Sequence, residues 1–273
     1  MSTATLNGVE LYYEIMGTGP KLFLTHGSWT DGSGWAQLAE LLADRYEVVT
    51  WDRRGHSRSA DTDEPGSRTE DATDLAALIE HLGDLPVHLL GNSYGATVTL
   101  TVVTQRPDLV ASAVVHEPPL FTLLEDTSDP AILEALATSE DRLDAVAEFI
   151  EAGHHRDAAK YFFDNVAFGP GTWDRLPESF HTMVTANAAT YLDELHDPTG
   201  LSIDTTALTS TTVPILLTHG TTSPPLFSRL IGELTRLLPS AQVEAIDGAG
   251  HIPYATHPHQ LAAVVSAFHQ YVA

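Results

Sequence analysis

Cysteine is absent from this 273-residue sequence. That excludes disulfides, zinc–thiolate centres and thiol nucleophiles. Lysine occurs only as Lys21 and Lys160, which leaves few candidates for Schiff-base chemistry. Basic charge as a whole is scarce: 13 Lys and Arg stand against 37 Asp and Glu, a formal net charge of −24. Nucleic acid and anionic membrane surfaces are held by Lys and Arg, so no nucleic-acid or membrane partner is expected. The acidic excess also repels polyanionic substrates at low salt. No apolar stretch is long enough to span a bilayer. The first residues contain no basic region followed by an apolar run, so a signal peptide is not expected and a cytoplasmic protein is the expectation.

What is present is a large apolar fraction, 43%, enough for the core of one sizeable α/β domain. Asn7-Gly8 precedes the apolar run Leu11–Tyr13 and signals a hairpin. Strand and helix patterns then alternate. Lys21–Thr25, Tyr46–Trp51, Pro86–Leu90 and Leu109–Val115 read as strands. Trp35–Leu42 has helical spacing, and Ser67-Arg-Thr-Glu70 is a capping box opening a helix that runs to Gly83. From about Ala131 to Leu195 the apolar spacing is helical throughout. Strands return at Val213–Thr218 and Gln242–Ile246, with a final helix from about His257. Asp197–Gly200 and Thr209–Thr212 read as the returning linker. This pattern predicts a mostly parallel sheet flanked by helices, carrying a helical insertion.

Gly91-Asn92-Ser93-Tyr94-Gly95 directly follows a strand and matches G-x-S-x-G. A nucleophile on a tight strand-to-helix turn needs glycines two residues to either side, so that strand and helix can approach closely. Helix N–H groups beginning at the serine can then face an oxyanion. The motif alone is common by chance. The following Ala96–Thr104 alternates like a strand, yet a helix buried behind a sheet need not follow local propensity, and Gln105–Asp108 reads as its stop.

A serine hydroxyl needs a base. Of 14 histidines, His251 follows a strand within Gly248-Ala-Gly-His251 and precedes Pro253, which places it on a loop at the carboxyl rim of the sheet. The plain alternative is an exposed loop histidine. His154-His155 read as a solvated helix end and His257-Pro258 as a helix start. His116-Glu117 runs into Pro118-Pro119 with no second histidine at metalloprotease spacing, so no metal site is expected. One oxyanion N–H is assigned to Tyr94. The other is assigned to Ser28 in His26-Gly27-Ser28-Trp29, with Trp29 as the neighbour one register away.

Together, His26-Gly27, Asp52-Arg-Arg-Gly-His-Ser57, Gly91–Gly95 and Gly250-His251 resemble, in order and spacing, the α/β-hydrolase superfamily over nearly the whole chain. The resemblance implies an eight-stranded, mostly parallel sheet with a helical lid between strands six and seven. The core would be residues 1–119 and 209–273, and the lid 120–208. Asp52–Ser57 would be a structural turn. The family usually places an aspartate after strand seven, where this chain has Ser223. Some members place the acid after strand six, and the turn His116-Glu117 is similar to that of zearalenone-type lactone hydrolases. Glu117 is therefore the expected orienting acid. Asp247 is the reserve, and a bare Ser93–His251 dyad is the third option.

These residues imply cofactor-free, two-step acyl transfer on a small, apolar, uncharged ester or lactone. A serine in place of an aspartate argues against dehalogenase or epoxide hydrolase chemistry. A cofactor-free lyase, a carbon–carbon hydrolase, a perhydrolase or a non-enzymatic small-molecule-binding protein could use the same fold. Substrate contacts would come from lid residues such as Phe162, Phe163, Phe168, Trp173, Phe180, Met183 and Tyr191.

Overall fold

The computed structural model describes residues 2–62 and 64–272. Its centre is one eight-stranded sheet in the order β1-β2-β4-β3-β5-β6-β7-β8. The strands are β1 (Ser2–Leu6), β2 (Val9–Gly17), β3 (Lys21–Thr25), β4 (Glu47–Trp51), β5 (Val87–Asn92), β6 (Val110–His116), β7 (Ile215–Gly220) and β8 (Gln242–Ile246). The β1–β2 hairpin turns at Asn7-Gly8 as expected, and β2 joins β4 antiparallel. All remaining pairs are parallel. The carboxyl ends of β3, β5, β6, β7 and β8 thus lie along one rim.

The central strands are buried on both faces, which explains their continuous apolar runs. Side-chain alternation still sorts them. Phe23, Leu89, Ala113 and Val115 point to the core shared with α2 (Arg68–Leu82), α3 (Tyr94–Gln105) and α9 (Pro225–Leu237). Leu22, Leu24, Leu90 and Val114 point to the opposite core, under α1 (Ala36–Leu42), α10 (Pro253–Thr256) and α11 (Pro258–Val272). Ser67 caps α2 by accepting from Glu70 N–H.

Ala96–Thr104 is helical despite its strand-like alternation, because α3 is buried from Tyr94 to Val103 and packing overrides propensity. Its threonines turn their hydroxyls back on the helix: Thr97, Thr99 and Thr101 donate to the carbonyls of Tyr94, Gly95 and Thr97.

Between β6 and β7 the chain is helical: α4 (Pro130–Glu151), α5 (His155–Phe162), a π-helical turn (Phe163–Ala167), α6 (Glu178–Ala186), α7 (Thr190–His196) and α8 (Thr205–Ser210). This insertion has its own apolar cluster from Val146 to Tyr191, and Trp29 of the sheet domain is built into it. At the insertion's margins, Leu120, Leu124 and Leu208 pack into the sheet's core instead. The expected linker Thr209–Thr212 begins inside α8, because Asp204 caps that helix and the Thr209 hydroxyl donates back to its carbonyls.

Candidate active site

Ser93 sits between β5 and α3 with φ +56, a strained backbone for a non-glycine residue. The turn is tight enough to require its glycines. A methyl at Gly91 would lie 2.3 Å from the Gly95 carbonyl, and one at Gly95 would lie 2.3 Å from the carbonyls of Thr25 and His26. The Ser93 N–H donates to the His116 carbonyl at 2.9 Å, tying the turn to the end of β6.

The residue after His116 is Glu117, fully buried, also at positive φ (+47). Its Oε1 accepts from the Gly220 N–H at 2.7 Å, and its Oε2 accepts from His251 Nδ1 at 2.6 Å. Burial alone would raise the carboxyl's pKa. The hydrogen bond from His251, the charges of His251 and His116, and the nearby Ser223 hydroxyl outweigh burial and lower it from 4.5 to about 2. Ser223 Oγ is buried without completing a hydrogen bond, so it favours the charged carboxylate only by proximity. Because a carboxylate only accepts, His251 Nδ1 carries the proton and Nε2 is left basic. Asp247 is exposed and takes a 3.4 Å hydrogen bond from Thr221, away from His251.

His251 lies on the loop between β8 and α10. The ring of Phe227 stacks on it at 4.5 Å and 23°. Ser93 and His251 line the same cavity, with no direct hydrogen bond between them among the described residues. The Asn92 amide, oriented to satisfy both its ends, donates to the His251 carbonyl at 3.0 Å and accepts from the Ser93 N–H at 3.3 Å.

The loop after β3 closes the other side of Ser93. His26 is buried, and its Nε2 accepts from the Arg53 N–H at 2.9 Å. Its Nδ1 therefore carries the proton and donates to the Gly27 carbonyl at 2.8 Å. Burial, with the charge of Arg53, holds the His26 pKa well below the ordinary histidine value, so the ring stays neutral. Gly27 approaches so closely that a methyl there would meet Ser93 Cβ at 3.0 Å. Ser28 lines the cavity, whereas Trp29 does not and is buried against Phe162 and Tyr191 of the insertion. Among the described residues, neither Ser28 nor Tyr94 donates its backbone N–H to another backbone group in a turn or loop. Tyr94, as the first residue of α3, has no carbonyl four residues back within the helix.

Several participants carry no signal in the sequence. Glu194, on α7, lines the cavity beside Ser93. It accepts from the Ser28 hydroxyl and, at 2.5 Å, from Arg53 Nη2, while Arg53 Nη1 donates to Asp71 at 2.6 Å. Burial raises the Glu194 pKa despite the opposing pull of Arg53, and it raises Asp71 to about 6. A polar residue on an amphipathic insertion helix gives no hint that it turns inward, and no spacing rule links it to residue 28.

The cavity has two adjoining lobes of about 40 and 60 Å³ that share Ser28, Ser93, Phe162 and His251. Phe163, Phe168 and Phe180 line one lobe, and Tyr191, Leu143 and Phe227 the other. Trp173 does not reach the cavity; it stacks on His181 at 3.9 Å. Met183 packs within the insertion. A wider groove of about 620 Å³ between α4 and α9 shares Phe121, Val166 and Phe227 with the second lobe. Among the described residues, no cluster of three or more His, Asp or Glu side chains is arranged to hold a metal ion.

Residues 22–264 match the model of the alpha/beta hydrolase family. A 2-(acetamidomethylene)succinate hydrolase of Mesorhizobium japonicum is 28% identical over 249 residues, 89% of this chain and 85% of that protein. The uncharacterized hydrolase YraK of Bacillus subtilis is 36% identical over 124 residues, 45% of this chain, and the match spans less than half of YraK's length, 46%. Among solved structures, an alpha/beta hydrolase from Sphaerobacter thermophilus superposes with a TM-score of 0.78 at 27% identity, over 98% of this chain and 99% of that one. With a family match across most of its length, the eight-stranded sheet and hydrolases as its relatives, the chain belongs to the alpha/beta hydrolase family.

Proposed function

We propose that this protein is a serine hydrolase that cleaves an uncharged carboxylic ester or lactone through an acyl-enzyme. The observation that carries this reading is the 2.6 Å contact of Glu117 with His251, on the wall of the cavity that also holds Ser93. Ser93 Oγ attacks the substrate carbonyl carbon, and His251 Nε2 takes its proton. The oxyanion rests on the N–H groups of Ser28 and Tyr94, each worth roughly 3–4 kcal/mol in a comparable site. The tetrahedral adduct collapses, and the histidine returns its proton to the leaving alkoxide. Water, deprotonated by the same histidine, then attacks the acyl-enzyme and releases the acid. Glu117 fixes the imidazole tautomer and stabilises the imidazolium without taking the proton.

The helical insertion serves as the lid. Its aromatic lining suits an apolar substrate, and the lining residues include no lysine or arginine to hold an anionic one. The deciding experiment is labelling with a fluorophosphonate, followed by mass-spectrometric mapping and a screen of short aryl esters and lactones. The expected result is one adduct, on Ser93, with loss of ester hydrolysis. An unlabelled Ser93 with no turnover of any ester or lactone would favour a binding protein on this fold.

A further inference from the structure

The short stretch Asn187–Glu194 of the insertion grips the loop after β3 at successive residues. Glu194 accepts from the Ser28 hydroxyl. Asn187 Nδ2 donates to the carbonyls of Trp29 and Thr30, at 3.0 and 3.3 Å. The ring of Tyr191 lies 4.9 Å from that of Trp29. Trp29 is held at φ +69, a conformation that a bulky residue adopts only when its surroundings impose it. The sheet domain contributes the counterpart: Arg53, fully buried, donates to Glu194 on one side and to Asp71 on the other.

We propose that Glu194 is a positioning residue that couples the seating of the helical insertion to the assembly of the oxyanion hole, through the hydroxyl of Ser28. Glu194 is not required to touch the substrate for this. It fixes the Ser28 hydroxyl, which commits that group to the carboxylate and leaves the backbone N–H of Ser28 to face the cavity. A seated insertion and a correctly aimed donor are then one event, so water-filled, open states lack the electrostatic stabilisation that the closed state supplies.

The inference rests on the serine-hydrolase reading, so the unmodified enzyme is assayed first. Absence of ester hydrolysis and of Ser93 labelling there would sink both together. With that activity in hand, Glu194→Gln and Ser28→Ala are compared by kcat, KM and inhibition by an aryl trifluoromethyl ketone, whose serine adduct carries the oxyanion. Concentrations are set by fluorophosphonate titration, so only folded enzyme counts. Each variant is expected to lose roughly 10- to 100-fold in kcat with KM little changed, because misplacing one group by an ångström has that effect. Affinity for the ketone falls in parallel, and the double variant is no worse than the weaker single one. Should Glu194→Gln fail to fold, Ser28→Ala carries the test, since it leaves the Arg53–Glu194 ion pair intact. Asp74→Asn weakens a buried ion pair of the sheet domain, that with Arg54, which touches neither Glu194 nor Ser28. It should lower the Tm and leave kcat within about twofold. If Asp74→Asn matches Glu194→Gln in kcat, or if both Glu194→Gln and Ser28→Ala keep full kcat and ketone affinity, the coupling is overturned.

Discussion

Glu117 Oε2 and His251 Nδ1 lie 2.6 Å apart, although 134 residues separate them in the chain. The carboxylate comes from the end of β6, the imidazole from beyond β8, and β7 lies between these strands in the sheet. The side chain of Glu117 reaches across β7, whose Gly220 N–H holds the second carboxylate oxygen. Ser223, in the loop after β7, has its Oγ buried beside the same carboxylate.

Activity should therefore depend on Glu117 and not on Asp247. Glu117→Gln keeps the shape but replaces an acceptor with an amide that can donate to Nδ1, favouring the wrong imidazole tautomer. The expected loss in kcat is about a thousandfold or more. Asp247→Asn, at an exposed residue away from the histidine, should change kcat by less than about threefold. Steady-state assays on a short-chain aryl ester decide the matter. Full activity in Glu117→Gln would remove the acid assignment.

The same pair should leave a mark on stability. The Glu117 carboxyl is lowered from 4.5 to about 2, so the folded state binds the proton less tightly than the unfolded chain. The resulting stabilisation is complete above about pH 4.5 and is lost as pH falls through about 2. Asp71 acts in the opposite sense: burial raises it from 3.8 to about 6, and its contribution fades as pH rises through that value. The wild-type curve alone therefore mixes the two. The informative quantity is the difference in unfolding free energy between wild type and Glu117→Gln in urea at successive pH values. That difference should shrink steadily below pH 4.5. A gap that stays constant down to acid pH would contradict a Glu117 carboxylate held ionised by its contact with His251.

The legible parts of this molecule are those in which a local constraint leaves a local signature. Gly91 and Gly95 are dictated by backbone approach at the Ser93 turn, and His251 is marked by its strand end and Pro253. The contact of Glu117 with His251 could be expected by a different route, from the family resemblance, which pointed to the His-Glu turn on the strand beside that of Ser93. Glu194, Asn187 and Phe227 were not legible. Glu194 and Phe227 lie on helices and Asn187 in the turn between α6 and α7, and each acquires its partner only through tertiary packing: Glu194 and Asn187 through the seating of the insertion on the sheet domain, Phe227 through the packing of α9 beside the loop that carries His251. The threonine-rich helix α3 shows the reverse case, where local pattern points to a strand and enclosure between a sheet and its neighbours decides otherwise.

Glu194 also bears on what the cavity accepts. It sits in the wall beside Ser93 with a single buried cation, Arg53, shared between it and Asp71, so the cluster carries an excess of negative charge when both acids are ionised. No lysine or arginine lines either lobe, and the whole chain carries −24. A carboxylate on the substrate would lose its hydration and find no partner, an expense of several kcal/mol when a charge is buried unpaired. p-Nitrophenyl butyrate and mono-p-nitrophenyl succinate share a leaving group and differ chiefly in a terminal methyl against a carboxylate. The neutral ester should be preferred by roughly 100-fold or more in kcat/KM. Glu194→Gln removes one of the repelling charges and should narrow that ratio even as it lowers kcat for both. Equal kcat/KM values for the two esters in the unmodified enzyme would show that an anionic group reaches Ser93 without penalty, and would rule out charge as a selector in this cavity.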